Sequence, residues 1–214
     1  MNSPLGGSMD AAPTPSRRAV LRGGLLLGTS AAVLAGDIAQ VAAKDAGPAP
    51  VVPAGYPPVY WSPASRSNYT VSNRPTTYPV EFVVVHVTQE TYADTIRIFQ
   101  DPSSQVSAHY VVRSADGYIG QCVREKDIGW HAGNWTYNTR SIGIEHEGWV
   151  DKPEYFTDAM YQASAALTAA VCDRYGIPKD RNHIIGHNEV PGATHTDPGP
   201  YWDWNRYLGL VNGG

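Results

Sequence analysis

The chain has 214 residues, 42% of them apolar and 17% charged, enough for one globular domain with a real core plus appendages. Its formal net charge of −4 leaves no electrostatic case for a nucleic-acid or anionic-membrane partner. Two cysteines, Cys122 and Cys172, are too few for a disulfide framework, and sequence alone does not bring them together.

Residues 1–43 read as an export signal. Ser16-Arg17-Arg18-Ala19-Val20-Leu21 is a twin-arginine run, a Gly- and Ala-rich apolar stretch follows it, and Val41-Ala42-Ala43 offers small residues to a signal peptidase. The apolar stretch is too short and too rich in glycine for a comfortable membrane anchor. We therefore expect twin-arginine export, a secreted or cell-wall location, and no stable membrane association after cleavage. Residues 44–58 have the composition of a Pro-rich linker, which places the folded domain at 59–214.

Phe82-Val83-Val84-Val85-His86-Val87 is a continuous apolar, β-branched run and predicts a strand buried on both faces. His86 near its end is out of place there, because a buried imidazole has two nitrogens to satisfy. Thr91 caps a short helix carrying Ile96 and Phe99, ended by Pro102. Val106–Arg113 alternates as a strand, Asp116-Gly117 turns, and Tyr118–Val123 returns as the partner strand of a hairpin. Trp130-His131-Ala132-Gly133-Asn134-Trp135 reads as an aromatic loop. In the strand Ser141–Glu147, period two sets Glu145 and Glu147 beside Gly143 on one face, as on the floor of a cleft, and His146 on the other. One long helix runs from Thr157 to Tyr175, with Met160, Leu167, Val171 and Tyr175 on its core face, and Gly176 and Pro178 end it. Asn182–Gly186 is a last short strand, and Trp202, Trp204, Tyr207 and Leu210 mark a final short helix. Helices and strands mix irregularly around a hairpin, which predicts an α/β fold with a central mixed β-sheet flanked by helices.

His187 to Pro200 carries two imidazoles and two carboxylates in a segment punctuated by Pro and Gly, so it is a loop with a defined path. Imidazole nitrogen and carboxylate oxygen are ordinary ligands for zinc. His187 and Asp197 are candidate ligands, His86 on its rigid strand is the third, and His195 points toward the same site. The competing reading makes His86 a satisfied core histidine, His187 a strand cap and Asp197 the start of an Asp-Pro turn.

Val84-Val85-His86, Ser141-Ile142-Gly143-Ile144-Glu145 and the loop ending in Thr196-Asp197-Pro198-Gly199-Pro200 together resemble the zinc-dependent N-acetylmuramoyl-L-alanine amidases of type 2, the superfamily of the peptidoglycan recognition proteins. The resemblance covers roughly residues 78–210. It implies a Zn²⁺ held by His86, His187 and Asp197, and Glu145 as the catalytic carboxylate. It also implies a second catalytic group at His195, where the family often has a lysine. Phage relatives place a tyrosine before the histidine of the hairpin strand; here Ala108 precedes His109. The aromatic loop residues Trp130, His131 and Trp135 are the expected substrate contacts. The implied function is hydrolysis of the amide between N-acetylmuramic acid and L-alanine in peptidoglycan or a muropeptide, by a monomer. Two other readings compete. A non-catalytic peptidoglycan-binding module would be expected to lack a ligand, whereas all three positions here hold ligand types. A zinc D,D-peptidase would use His109 and Asp116.

Overall fold

The computed structural model describes residues 54–214, so the expected signal and residues 44–53 of the linker lie outside the described residues. In chain order the elements are β1 (Tyr60–Trp61), β2 (Tyr69–Thr70), β3 (Phe82–Val87), α1 (Tyr92–Gln100), β4 (Tyr110–Val112), β5 (Ile119–Gln121), β6 (Ile128–Gly129), α2 (Trp135–Arg140), β7 (Ser141–His146), α3 (Asp158–Tyr175), β8 (Ile184–Gly186) and α4 (Trp204–Val211). Six strands form one mixed sheet in the order β1-β5-β4-β7-β3-β8, while β2 and β6 pair separately. This is the expected central mixed sheet.

The apolar run of β3 places it between β7 and β8, parallel to both. Period two then divides its side chains. Val83 and Val85, with Ile142 and Ile144 of β7 and Ile184 of β8, enter the main core with Met160, Leu167 and Val171 of α3 and Tyr207 and Val211 of α4. Burying each such aliphatic side chain stabilises the fold by about 1.5–3 kcal/mol. On the other face, Val84 joins Ala132, Ile185 and Val190 in a smaller cluster. Phe99 of α1 packs on the same side as Val111 of β4, with Cys122 and Val123, so both faces of the sheet are covered.

The helix ends follow the local sequence. Thr91 and Thr157 cap α1 and α3 with their side chains, and Gly176 ends α3 in the left-handed region at φ 67°. Cys122 and Cys172 are both buried and free.

The structure departs from expectation in three places. The hairpin keeps only three residues per strand in the ladder, because Ser107 and His109 donate instead to the carbonyls of Trp130 and Gly143. The aromatic loop runs at its last residue, Trp135, into a helix, α2, capped by Asn134. Tyr56, within the stretch read as linker, is buried and donates its hydroxyl hydrogen to Glu125 Oε1 at 2.9 Å. Packing therefore reaches at least three residues ahead of the expected edge.

Arg74 is a brace that composition did not announce. It is 3% exposed, and its guanidinium donates to the carbonyls of Glu125, Asp127, Asn138, Thr139 and Ser141. It thereby ties the segment before β6 to the α2–β7 junction. Burial lowers its pKa to about 10, so it stays charged at neutral pH. Arg74→Met should leave several buried carbonyls without a donor and cost on the order of 3 kcal/mol or more. The check is chemical denaturation. A midpoint within error of wild type would show that water replaces the guanidinium at no cost.

Candidate active site

The site forms where parallel strands end together. Glu145 near the end of β7 pairs in register with His86 near the end of β3. On the other side Val85 pairs with Gly186, the last residue of β8, so His187 emerges beside His86. Laterally paired residues of a pleated sheet point to the same face. Three side chains distant in sequence thus form one row at the carboxyl edge of the sheet, where open α/β sheets offer their crevice.

Asp197 completes the row from the loop after β8. Its Oδ1 lies 3.1 Å from His187 Nδ1 and its Oδ2 3.3 Å from His86 Nδ1. The Val87 N–H donates to Oδ2 at 3.3 Å, and the Asn188 N–H donates to the Asp197 carbonyl at 3.0 Å. The imidazoles of His86 and His187 stand edge to face at 4.5 Å. Each of the three residues offers a ligand atom within 4.8 Å of the others, and all three are buried.

The electrostatics suit a cation. Burial outweighs Asp197 and holds His86 below the usual imidazole pKa, hence neutral. Burial alone would raise the Asp197 carboxyl, but the adjoining imidazoles of His187 and His86 hold it well below the usual range, hence ionised. Neutral imidazole and ionised carboxylate are the forms that bind metal. Burial first, and Asp197 second, push Glu145 well above the ordinary carboxylate range. Glu145 Oε2 and His187 Nε2 are buried without a hydrogen-bond partner. A donor set of two imidazoles and one carboxylate, beside an unpartnered carboxylate oxygen, fits a divalent metal ion.

A cleft of about 950 Å³ opens over this row, and His86, Glu145, His187, His195 and Asp197 all line it. His195 stacks on His187 at 4.6 Å, with its Nδ1 3.9 Å from Asp197 Oδ1 and its side chain 66% exposed. It stands at the rim, free to meet a ligand. Trp130 lines the cleft and is steadied by its indole N–H on Thr70 Oγ1 at 3.0 Å. Trp135, on the first turn of α2, is 53% exposed and is not among the cleft residues. His131 touches the cleft, but its ring is buried beneath His86 with both nitrogens engaged. A direct polar contact from that ring to substrate is therefore not what the geometry offers.

Sequence reasoning missed Trp149, which lines the cleft and carries Lys152 Nζ over its ring at 4.0 Å. It also missed Asn138, whose Oδ1 accepts the backbone N–H groups of His131 and Ala132 and so shapes the loop. His146 lies on the opposite face, bonded to the His86 carbonyl and Ser164 Oγ. His183 is held by Asp180. Both are structural. The His109–Asp116 metal reading fails. His109 is buried against Arg74 and the Gly143 N–H, while Asp116 is paired with Arg113 at the exposed hairpin turn.

The family model described as N-acetylmuramoyl-L-alanine amidase matches residues 76–200, a span that includes His86, Glu145, His187, His195 and Asp197. The chain belongs to that family. The amidase is 40% identical over 171 residues to N-acetylmuramoyl-L-alanine amidase A of Achromobacter lyticus, covering 72% of this chain and 93% of that protein. It is 44% identical over 113 residues to the 1,6-anhydro-N-acetylmuramyl-L-alanine amidase AmpD of Citrobacter freundii, covering 50% of this chain and 58% of that protein. A crystal structure of an AmpD derivative matches with a TM-score of 0.60 at 32% identity, over 75% of this chain and 96% of that one. The Escherichia coli amidase AmiD, solved with anhydro-N-acetylmuramic acid-L-Ala-D-γ-Glu-L-Lys, matches at TM-score 0.53 and 25% identity, over 61% of this chain and 57% of that one.

Proposed function

We propose that this amidase is zinc-dependent and hydrolyses the amide bond between N-acetylmuramic acid and the L-alanine of the stem peptide. The observation that carries the reading is the row Glu145–His86–His187, closed by Asp197, at the floor of a cleft in a chain of this family. His86, His187 and Asp197 would hold the metal. A zinc ion there supplies Lewis acidity and brings the pKa of water toward neutrality.

The chain's own residues do the rest. Glu145 takes a proton from the attacking water and passes it to the alanine nitrogen as the carbon–nitrogen bond breaks. Water oxygen ends on the lactyl carbonyl carbon, and the amine leaves neutral. His195 at the rim donates a hydrogen bond to the carbonyl oxygen as negative charge develops there. Trp130 and Trp149 flank the cleft, and flat indole faces suit a sugar ring. Residues 1–43 extend the proposal: an export signal would deliver the enzyme to the wall that it cuts.

The test is mass spectrometry of products from defined muropeptides and from polymeric peptidoglycan, with zinc added or chelated. We expect free peptides beginning with L-alanine, formed only with metal. Cleavage between two D-alanines, or binding without any product, would overturn the reading.

A further inference from the structure

We propose that His131 and Ser141 form a hydrogen-bond relay that fixes the tautomer of His86, so that its Nδ1 lone pair is always the one turned to the metal position. The proposal rests on the metal reading above and makes both residues positioning residues. It follows from counting hydrogens outward from a group that can only accept. The Tyr137 carbonyl lies 2.6 Å from Ser141 Oγ. The single hydroxyl hydrogen must go there, which leaves Oγ as an acceptor for other partners. His131 Nε2 is 3.2 Å from that Oγ, so Nε2 carries the hydrogen. Buried, with both nitrogens engaged by neutral groups, the His131 ring has one N–H, and its Nδ1 is bare. His86 Nε2 lies 2.9 Å from that Nδ1 and must be the donor. His86 Nδ1 is then the free lone pair, and it faces Asp197 Oδ2 at 3.3 Å. Two acceptors so placed repel each other unless a cation lies between them.

The relay is built into the fold. The His131 ring crosses His86 at 86° with centroids 5.0 Å apart. It occupies space that only glycine leaves open, since a Cβ on Gly143 would lie 2.5 Å from His131 Cγ. Asn138 Oδ1 holds the His131 backbone N–H at 3.1 Å. Groups behind a metal ligand in this way set its tautomer and orientation, and losing one typically weakens metal binding by about 10–100-fold.

The experiment joins nitrogen-15 NMR of the ring tautomers, in metal-free and zinc-loaded full-length protein, with zinc affinity by chelator competition. Wild type should show hydrogen on Nε2 of both His131 and His86. His131→Phe keeps the bulk but offers no acceptor, and it should bind zinc about 10–100-fold more weakly. His131→Asn, whose Oδ1 stands near the lost Nδ1, should recover much of that affinity. Ser141→Ala should mix the His131 tautomers and weaken zinc less. A folded His131→Phe protein with wild-type affinity would overturn the relay, as would hydrogen on Nδ1 of His131 in wild type. If His131→Phe fails to fold, the wild-type tautomers and Ser141→Ala decide. Wild type that binds no zinc, with the tautomers as assigned, would sink the metal reading and the relay's purpose with it. Hydrogen on Nδ1 of His131 in a protein that binds zinc sinks the relay alone.

Discussion

Asp197→Ala should remove metal and activity together. Asp197 is the only one of the three candidate ligands with a charge of its own, and its two oxygens face the Nδ1 atoms of both His86 and His187. Without it a cation would meet two imidazoles and no counter-charge. Bound metal should drop to background, and hydrolysis with it. Because a ligand that binds only the folded state stabilises by mass action, added zinc should raise the Tm of wild type and leave that of Asp197→Ala unmoved. The fold should survive, since the loop keeps the backbone bond from Asn188 to residue 197. Full metal occupancy in Asp197→Ala would show that another group, with His195 the nearest candidate, completes the ligand set.

Glu145→Gln should separate binding from chemistry. The amide keeps the shape of the side chain but cannot take a proton from water, so zinc should stay while turnover falls by about two to four orders of magnitude. The same substitution makes a stability prediction in metal-free protein. Burial and Asp197 raise the Glu145 pKa in the fold above its unfolded value. Its contribution is therefore fully present below the ordinary carboxylate pKa and is lost as pH rises through the raised folded value. Wild type should lose stability over that window, and Glu145→Gln should not show this component of the slope. Equal turnover in the two proteins would remove Glu145 from the mechanism. Parallel stability curves would mean that its carboxyl is solvated in the metal-free state.

The three candidate ligand positions and Glu145 could be singled out in the sequence because each stands out from its local pattern. His86 interrupts a β-branched run, Glu145 sits beside glycine in a strand, and His187 and Asp197 lie in a loop stiffened by Pro. The long helix was legible from its caps and its apolar face. What escaped reading depends on contacts between distant segments. Nothing around Arg74 says that its guanidinium will be enclosed by five carbonyls. Nothing in Trp130-His131-Ala132-Gly133 says that the histidine turns inward under His86 while the tryptophan stays in the cleft. The helix after Asn134 was hidden by aromatic and β-branched residues with weak intrinsic preference for it. The hairpin was overdrawn because alternation continues past the point where Ser107 and His109 find partners outside the ladder.

The strand-end row has a consequence for how such a chain can vary. The spacing of Glu145 and His86 is set by the rung of the sheet they share, and that of His187 by its place directly after the last rung of β8, not by the lengths of polypeptide between them. Loops and helices joining the strands can lengthen or shorten without moving the site, provided that the rungs hold. A slip of one residue by β3 against its neighbours would turn His86 to the α3 side and Val85 into the cleft. A metal held by this row would therefore report strand alignment, since only a molecule whose sheet has closed in register presents all the ligands together.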